Sequence, residues 1–253
     1  MRNERLRAAI LSSGLGVQGA AERIGVDPKT VERWIAGRLP YTKHQYALAS
    51  ALGVDLPHLW PDARPTEEVS AMGQAEVAAV YPHRSVVPTD LWMRLFAGAE
   101  QNLDVLVFSG FWLSEDRQFH ELVEAKAAAG TAIRILLGDP ESQEVARRGE
   151  DEGIGEVMAG KVRNALLNYG PLTAREGTEF RLHSTVLYNS IYRADDEMLV
   201  NTHVYGVGAY LAPVLHLRRV PGASLFSAYL DSFERVWAGA RLVEPALADR
   251  GRS

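Results

Sequence analysis

None of the 253 residues is cysteine, so disulfide staples and thiolate metal sites are excluded. That absence fits a reducing, cytoplasmic setting. Long apolar runs are missing as well. No stretch approaches the roughly 18 apolar residues of a membrane span, and the opening MRNERLRAAILSSGLG lacks the continuous apolar core of a signal peptide. No internal repeat is present. What remains is an ordinary globular balance, 47% apolar and 23% charged, with room for one large or two modest domains. We therefore expect a soluble, intracellular protein with no membrane partner and no cofactor.

The charge is unevenly divided. Residues 1–61 hold eight Lys/Arg against five Asp/Glu, a balance of +3, which leaves −8 for the remainder of a chain whose total is −5. A small basic head on an acidic body suits a polyanion that touches only the head.

The pattern of residues predicts two kinds of architecture. Short helices are expected at about Asn3–Ser12, Val17–Ile24, Pro28–Ala36 and Thr42–Leu52, with a closing turn at Leu56–Trp60. Pro61-Asp62-Ala63-Arg64-Pro65 reads as a linker, and 66–79 as a weak connecting helix. From about Val86 the chain alternates strands and helices. Strands are expected at Leu103–Ser109, Thr131–Gly138, Phe180–Leu182, Val186–Arg193, Met198–Tyr205 and Pro213–Arg218. Helices are expected at Glu115–Ala129, after Asp139-Pro140, up to about Leu167, and at Ser224–Trp237. The expected fold class is α + α/β. An all-α domain (1–61) is followed by a connecting segment (62–85), an α/β domain (86–246) and a flexible tail (247–253).

Within Val17–Ala36, VQGAAERIGVDPKTVERWIA, Ala21 is small enough for two helices to cross closely, and Gly25 tolerates the positive φ of a tight turn. Val26, Val31 and Trp34 anchor the second helix, which Asp27 caps and Pro28 starts. An ordinary three-helix bundle uses similar packing. With Gly37-Arg38-Leu39-Pro40 and ALASALGVDLPHLWP, the segment resembles the helix-turn-helix domain of the Cro/C1 (Xre) repressor family. The resemblance implies that Pro28–Ala36 enters the major groove. It places Pro28, Lys29 and Arg33 at base-reading positions, with Thr30 able to meet a thymine methyl. Gln18, Arg38 and Lys43 would contact phosphates. Proline at a base-reading position departs from the commonest pattern. The implied partners are a double-stranded operator and a second copy of the chain.

The order of elements in the second domain resembles a single phospholipase D-like domain. That family carries His-x-Lys, four residues and Asp, then a Gly-Ser and an Asn. In one register Tyr188 stands for the histidine, Ser190 for the lysine and Asp195 for the aspartate, followed by Thr202-His203 and Tyr205. A second register starts at His183 with Ser190 at the aspartate, and it too lacks lysine. Attack on phosphorus needs the base and the cation together, so we expect binding without catalysis. Tyr188 and Ser190 would share one strand face, and Asn201, His203 and Tyr205 would alternate on the next. With His183 and Trp112 they form a candidate pocket for a small effector, where Arg134 and Arg193 could neutralise an anion. The turn Ser109-Gly110-Phe111-Trp112 is expected at the same end of the sheet. Glu150-Asp151-Glu152 reads as a solvated turn rather than a metal site. The sequence thus points to a bacterial transcription regulator with a ligand-binding or dimerising body. The rival reading is a DNA-tethered phosphodiesterase or nuclease using His183 or His203.

Overall fold

Asn3 starts the first helix by accepting from the Leu6 N–H at 2.9 Å, while its amide donates to the Leu59 carbonyl. One side chain thus caps α1 (Glu4–Ser12) and ties it to α5 (Leu56–Leu59). The computed structural model describes residues 2–60 and 73–244, which fall into two compact units, 1–70 and 71–253. In the first unit α2 (Gly16–Arg23) and α3 (Pro28–Ile35) join through a turn in which Gly25 has φ +70°, followed by α4 (Thr42–Leu52). Ala20 and Ala21 are fully buried, as the close approach of two helices requires. Asp27 caps α3 through the Lys29 N–H. Leu6, Ile10, Val31, Trp34, Leu48 and Leu59 form the core, spaced at helical intervals.

The second unit is mixed α/β, built on one eight-stranded sheet in the order β1-β7-β6-β5-β2-β3-β4-β8. The strands are β1 (Val77–Tyr81), β2 (Asn102–Leu106), β3 (Ala132–Gly138), β4 (Thr178–His183), β5 (Asn189–Ala194), β6 (Glu197–Thr202), β7 (Val214–Arg218) and β8 (Arg241–Leu242). Strands β2, β3 and β4 are mutually parallel, and the remaining pairings are antiparallel. The helices are α6 (Thr89–Ala97), α7 (Phe111–Ser114), α8 (Arg117–Ala128), α9 (Gln143–Asp151), α10 (Val157–Thr173) and α11 (Leu225–Gly239). Among the described residues no helix is long and apolar enough to cross a membrane.

Several expectations need correction. The segment 62–85 is not simply a connector, because Val77–Tyr81 joins the sheet edge by pairing with β7. Just before it, the buried Glu76 carboxylate accepts from the Leu225 and Phe226 N–H groups and so caps α11. This capping is a long-range contact with no local signature. The expected linker at Pro61–Pro65 and the tail at 247–253 lie outside the described residues. Helix α10 continues beyond Leu167 through Pro171, which stands in its last turn. Strand β5 begins at Asn189 rather than Val186, and β6 ends at Thr202 rather than Tyr205. That shift moves three of the candidate pocket residues, Tyr188, His203 and Tyr205, out of the strands.

Candidate functional site

In the first unit α3 buries Val31, Trp34 and Ile35 and turns the opposite side outward. Lys29 and Arg33, four residues apart, share that exposed side. Arg38 and Lys43 are exposed beyond it, and Pro28 and Thr30 are half-buried at the helix start. Gln18 is exposed on α2, and its amide donates to Glu22. Among the described residues, Lys29, Arg33, Arg38 and Lys43 make no ion pair with a carboxylate. A groove beside α3 is lined by Thr30, Arg33 and Arg38 together with Leu39, Tyr41 and His44. Sequence reasoning missed these last three, although Tyr41 is the largely exposed residue that precedes α4.

In the second unit a cavity of about 200 Å³ opens at the carboxyl ends of the parallel strands. Gly110 makes the turn there with φ +55°, and a Cβ at that position would meet Val107 Cγ2 at 2.7 Å. The turn delivers Trp112 to the wall, where its Nε1 donates to the Tyr192 hydroxyl at 3.4 Å. Ser190 and Tyr192 point to the same face of β5 by the period of two and both line the cavity. His203, just past β6, completes the floor.

The protonation of this corner is fixed by its partners. His203 Nδ1 lies 3.1 Å from the Leu187 carbonyl, which only accepts, so Nδ1 carries the hydrogen. Nε2 therefore accepts from the Ser190 hydroxyl at 3.1 Å. Burial, reinforced by Arg148 and opposed by the Leu187 carbonyl, pushes the His203 pKa down to about 4. Arg148, on α9, is buried and pairs with Glu152 at 2.5 Å, while its Nη2 also reaches the Val207 carbonyl. Arg84 lies 5.0 Å over the Trp112 ring, and Lys161 comes from α10.

Of the seven expected pocket residues, three line the cavity: Trp112, Ser190 and His203. Tyr188 and Tyr205 do not, because both stand in loops outside the strands and are 79% exposed. His183 is buried beneath the site, with Nε2 donating to the Val107 carbonyl and Nδ1 accepting from the Thr185 N–H. Both ring nitrogens are thus occupied, and burial lowers its pKa despite the opposing Val107 carbonyl, Glu144 and Asp139. Asn201 is fully buried opposite Ser190, and its amide nitrogen donates to the Ala212 and Pro213 carbonyls.

Arg134 and Arg193 do not face the cavity either. They are the register partners of Asp104, and both donate to its carboxylate. Asp195, at φ 49° in the β5–β6 turn, accepts from the N–H groups of Glu100, Gln101 and Asn102. It sits past the end of β5 opposite to Ser190, so the retained aspartate of the expected motif anchors a hairpin. Glu152 is not solvated, since it is the partner of Arg148. Among the described residues no group of three or more metal-ligating side chains comes together.

The cations Arg84, Arg148 and Lys161 were missed by sequence reasoning. Arg148 had the clearest signal, standing on the buried side of α9 with Val145 and Gly149.

No family model matches the chain, and no curated protein sequence matches it. The solved structures similar to this chain include two with low scores. TrmBL2, an archaeal chromatin protein described as showing a novel mode of DNA binding, is 12% identical with a TM-score of 0.42, over 86% of this chain and 72% of its own. Nuc from Salmonella typhimurium, a phospholipase D family member, is 13% identical with a TM-score of 0.36, over 61% of this chain and 90% of its own.

Proposed function

We propose that the protein is a cytoplasmic transcription regulator of the Cro/C1 helix-turn-helix type, with a phospholipase D-like body that binds a small anionic effector and does not catalyse. The observation that carries the DNA reading is the outward side of α3. Lys29 and Arg33 are exposed there, without carboxylate partners among the described residues, on a helix whose other side is anchored in the core. Phosphate binding needs such unpaired cations, and base reading needs them on a helix that can enter the major groove. A unit carrying only +3 makes few phosphate contacts alone, so the reading includes a dimer on two half-sites. An effector in the second unit would act by changing the placement of the two heads, because half-site spacing is geometrically strict.

The non-catalytic reading rests on the His203 corner. The nitrogen that would attack phosphorus, Nε2, is occupied by the Ser190 hydroxyl, and no lysine stands where the motif needs one. The cavity binds, on this reading, and does not cut.

The test is selection of genomic fragments on the purified full-length chain, followed by titration of the enriched duplex. The expected result is a short inverted repeat whose affinity falls by about 1–3 kcal/mol in Arg33→Ala. Equal retention of all fragments, or an unaffected Arg33→Ala variant, overturns it.

A further inference from the structure

We infer that the effector is a small monocarboxylate carrying a flat ring. This rests on the reading of the cavity as an effector site and specifies what that site takes. The first observation is charge. The lining sets three cations, Arg84, Arg148 and Lys161, against two carboxylates, Glu115 and Glu152. One net positive charge matches a monoanion, and the two carboxylates disfavour a phosphate dianion.

The second observation is the direction of the hydrogens. A phosphate site would turn a serine hydroxyl toward the ligand as a donor. Here the Ser190 hydrogen goes to His203 Nε2, because the Leu187 carbonyl holds the hydrogen on Nδ1. Ser190 therefore presents only lone pairs to the cavity, and the burden of binding an anion falls on the cations. Arg148 is suited to it. Among the described residues, its hydrogen bond to the Val207 carbonyl and its nearest approach to Glu152 are both at Nη2. The remaining N–H groups of a buried guanidinium are left to engage a carboxylate in the planar geometry that this pair favours.

The third observation is shape. Phe108, Trp112, Tyr192 and Tyr210 make the cavity wall, and the Phe108 ring lies 6.0 Å from the Arg148 guanidinium carbon. Aromatic walls accept a flat ring by stacking or edge contact. An apolar cavity of about 150 Å³ accepts benzene, so the 200 Å³ here has room for a single ring and a carboxylate.

The experiment is calorimetric titration of the full-length protein with benzoate, phenyl phosphate, benzyl alcohol and cyclohexanecarboxylate. Benzoate is expected to bind about tenfold or more tighter than each of the other three. Arg148→Met should weaken benzoate by a similar factor, and so should Arg148→Met with Glu152→Gln, which leaves no lone buried carboxylate. Circular dichroism confirms that the variants fold. Tighter or equal binding of phenyl phosphate, benzyl alcohol or cyclohexanecarboxylate, lost in the Arg148 variants, overturns the ring-carboxylate assignment and leaves the effector reading standing. Binding of none of the four overturns both. Benzoate binding unaffected in the double variant overturns the role of Arg148 and the assignment with it.

Discussion

Among the described residues the second unit contains two clusters of buried arginine and carboxylate, and they are placed differently. Beneath α11, Asp104 is fully buried and receives Arg134 through two hydrogen bonds and Arg193 through one. Arg134 goes on to Glu234 and lies over the Phe233 and Trp237 rings, and Arg193 also donates to the Asp195 carbonyl. Burial works against the Arg134 charge, but the hydrogen bonds to Asp104 and Glu234 outweigh it and raise its pKa. At the cavity, Arg148 meets Glu152 and one carbonyl and keeps donors in hand. Buried charge therefore does not by itself mark a site. Donors that stand beside a cavity do, because a ligand can reach them there and supply the acceptors they lack.

The largest test of this contrast is Asp104→Ala. Two largely buried guanidinium groups would lose their shared acceptor, and removing one partner of a buried ion cluster costs about 3–5 kcal/mol. Urea unfolding followed by circular dichroism should show that loss, while the first unit retains its helical signal. A change below about 1 kcal/mol would mean that Glu234 and the Asp195 carbonyl suffice to hold the two guanidinium groups.

How much of this was legible beforehand follows from the range of the interactions. Helices α1 to α4 were readable because their signals are local. Asn3 and Asp27 cap within three residues, Gly25 makes the turn, and the apolar spacing closes within one helix. The same holds for β2 and β3, whose apolar runs identify them. Strand β1 was lost because VAAVY is short and rich in alanine, and only pairing with β7, more than a hundred residues on, makes it a strand. At the site, Ser190 and His203 were found from their resemblance to a motif, whereas Tyr188 and Tyr205 failed because β5 starts three residues later, and β6 ends three residues earlier, than expected. Arg134 and Arg193 were drawn toward the cavity because nothing local records that both face Asp104. That is a property of register, which the sequence alone does not state.

The pH dependence sharpens the contrast from the histidine side. His203 is neutral in the folded protein, with its pKa pushed from the usual 6.5 to about 4, chiefly by burial. The unfolded chain therefore binds more protons between these values, so stability is full above about pH 6.5 and declines as pH falls toward about 4. His183 is shifted in the same direction and adds to the slope. Asp139 and Asp195 have lowered pKa values, so their contributions are present above the usual 3.8 and are lost only below it. The window between belongs to the histidines. Urea midpoints taken across it should fall by the equivalent of about 2 kcal/mol for the His203 share, and His203→Gln should flatten that share while leaving the His183 slope. An unchanged slope in His203→Gln would place the titration elsewhere.

The smallest effect is expected from removing both members of the cavity pair. Arg148→Met alone leaves Glu152 buried with no cation beside it and should cost about 1–3 kcal/mol. Adding Glu152→Gln removes the stranded charge, and the double variant should return to within about 1 kcal/mol of the parent, since replacing both partners of a buried pair is often close to neutral. The comparison is made by urea unfolding of the parent, both single variants and the double variant, with the coupling taken from the cycle. Near-additive losses would show that Arg148 is held mainly by Val207 and the Phe108 ring, making it a packing residue. Recovery in the double variant would show that the pair contributes little to the fold that an uncharged pair cannot supply. Stability would then give no reason for a buried arginine at the cavity wall, and binding would be the role left to it.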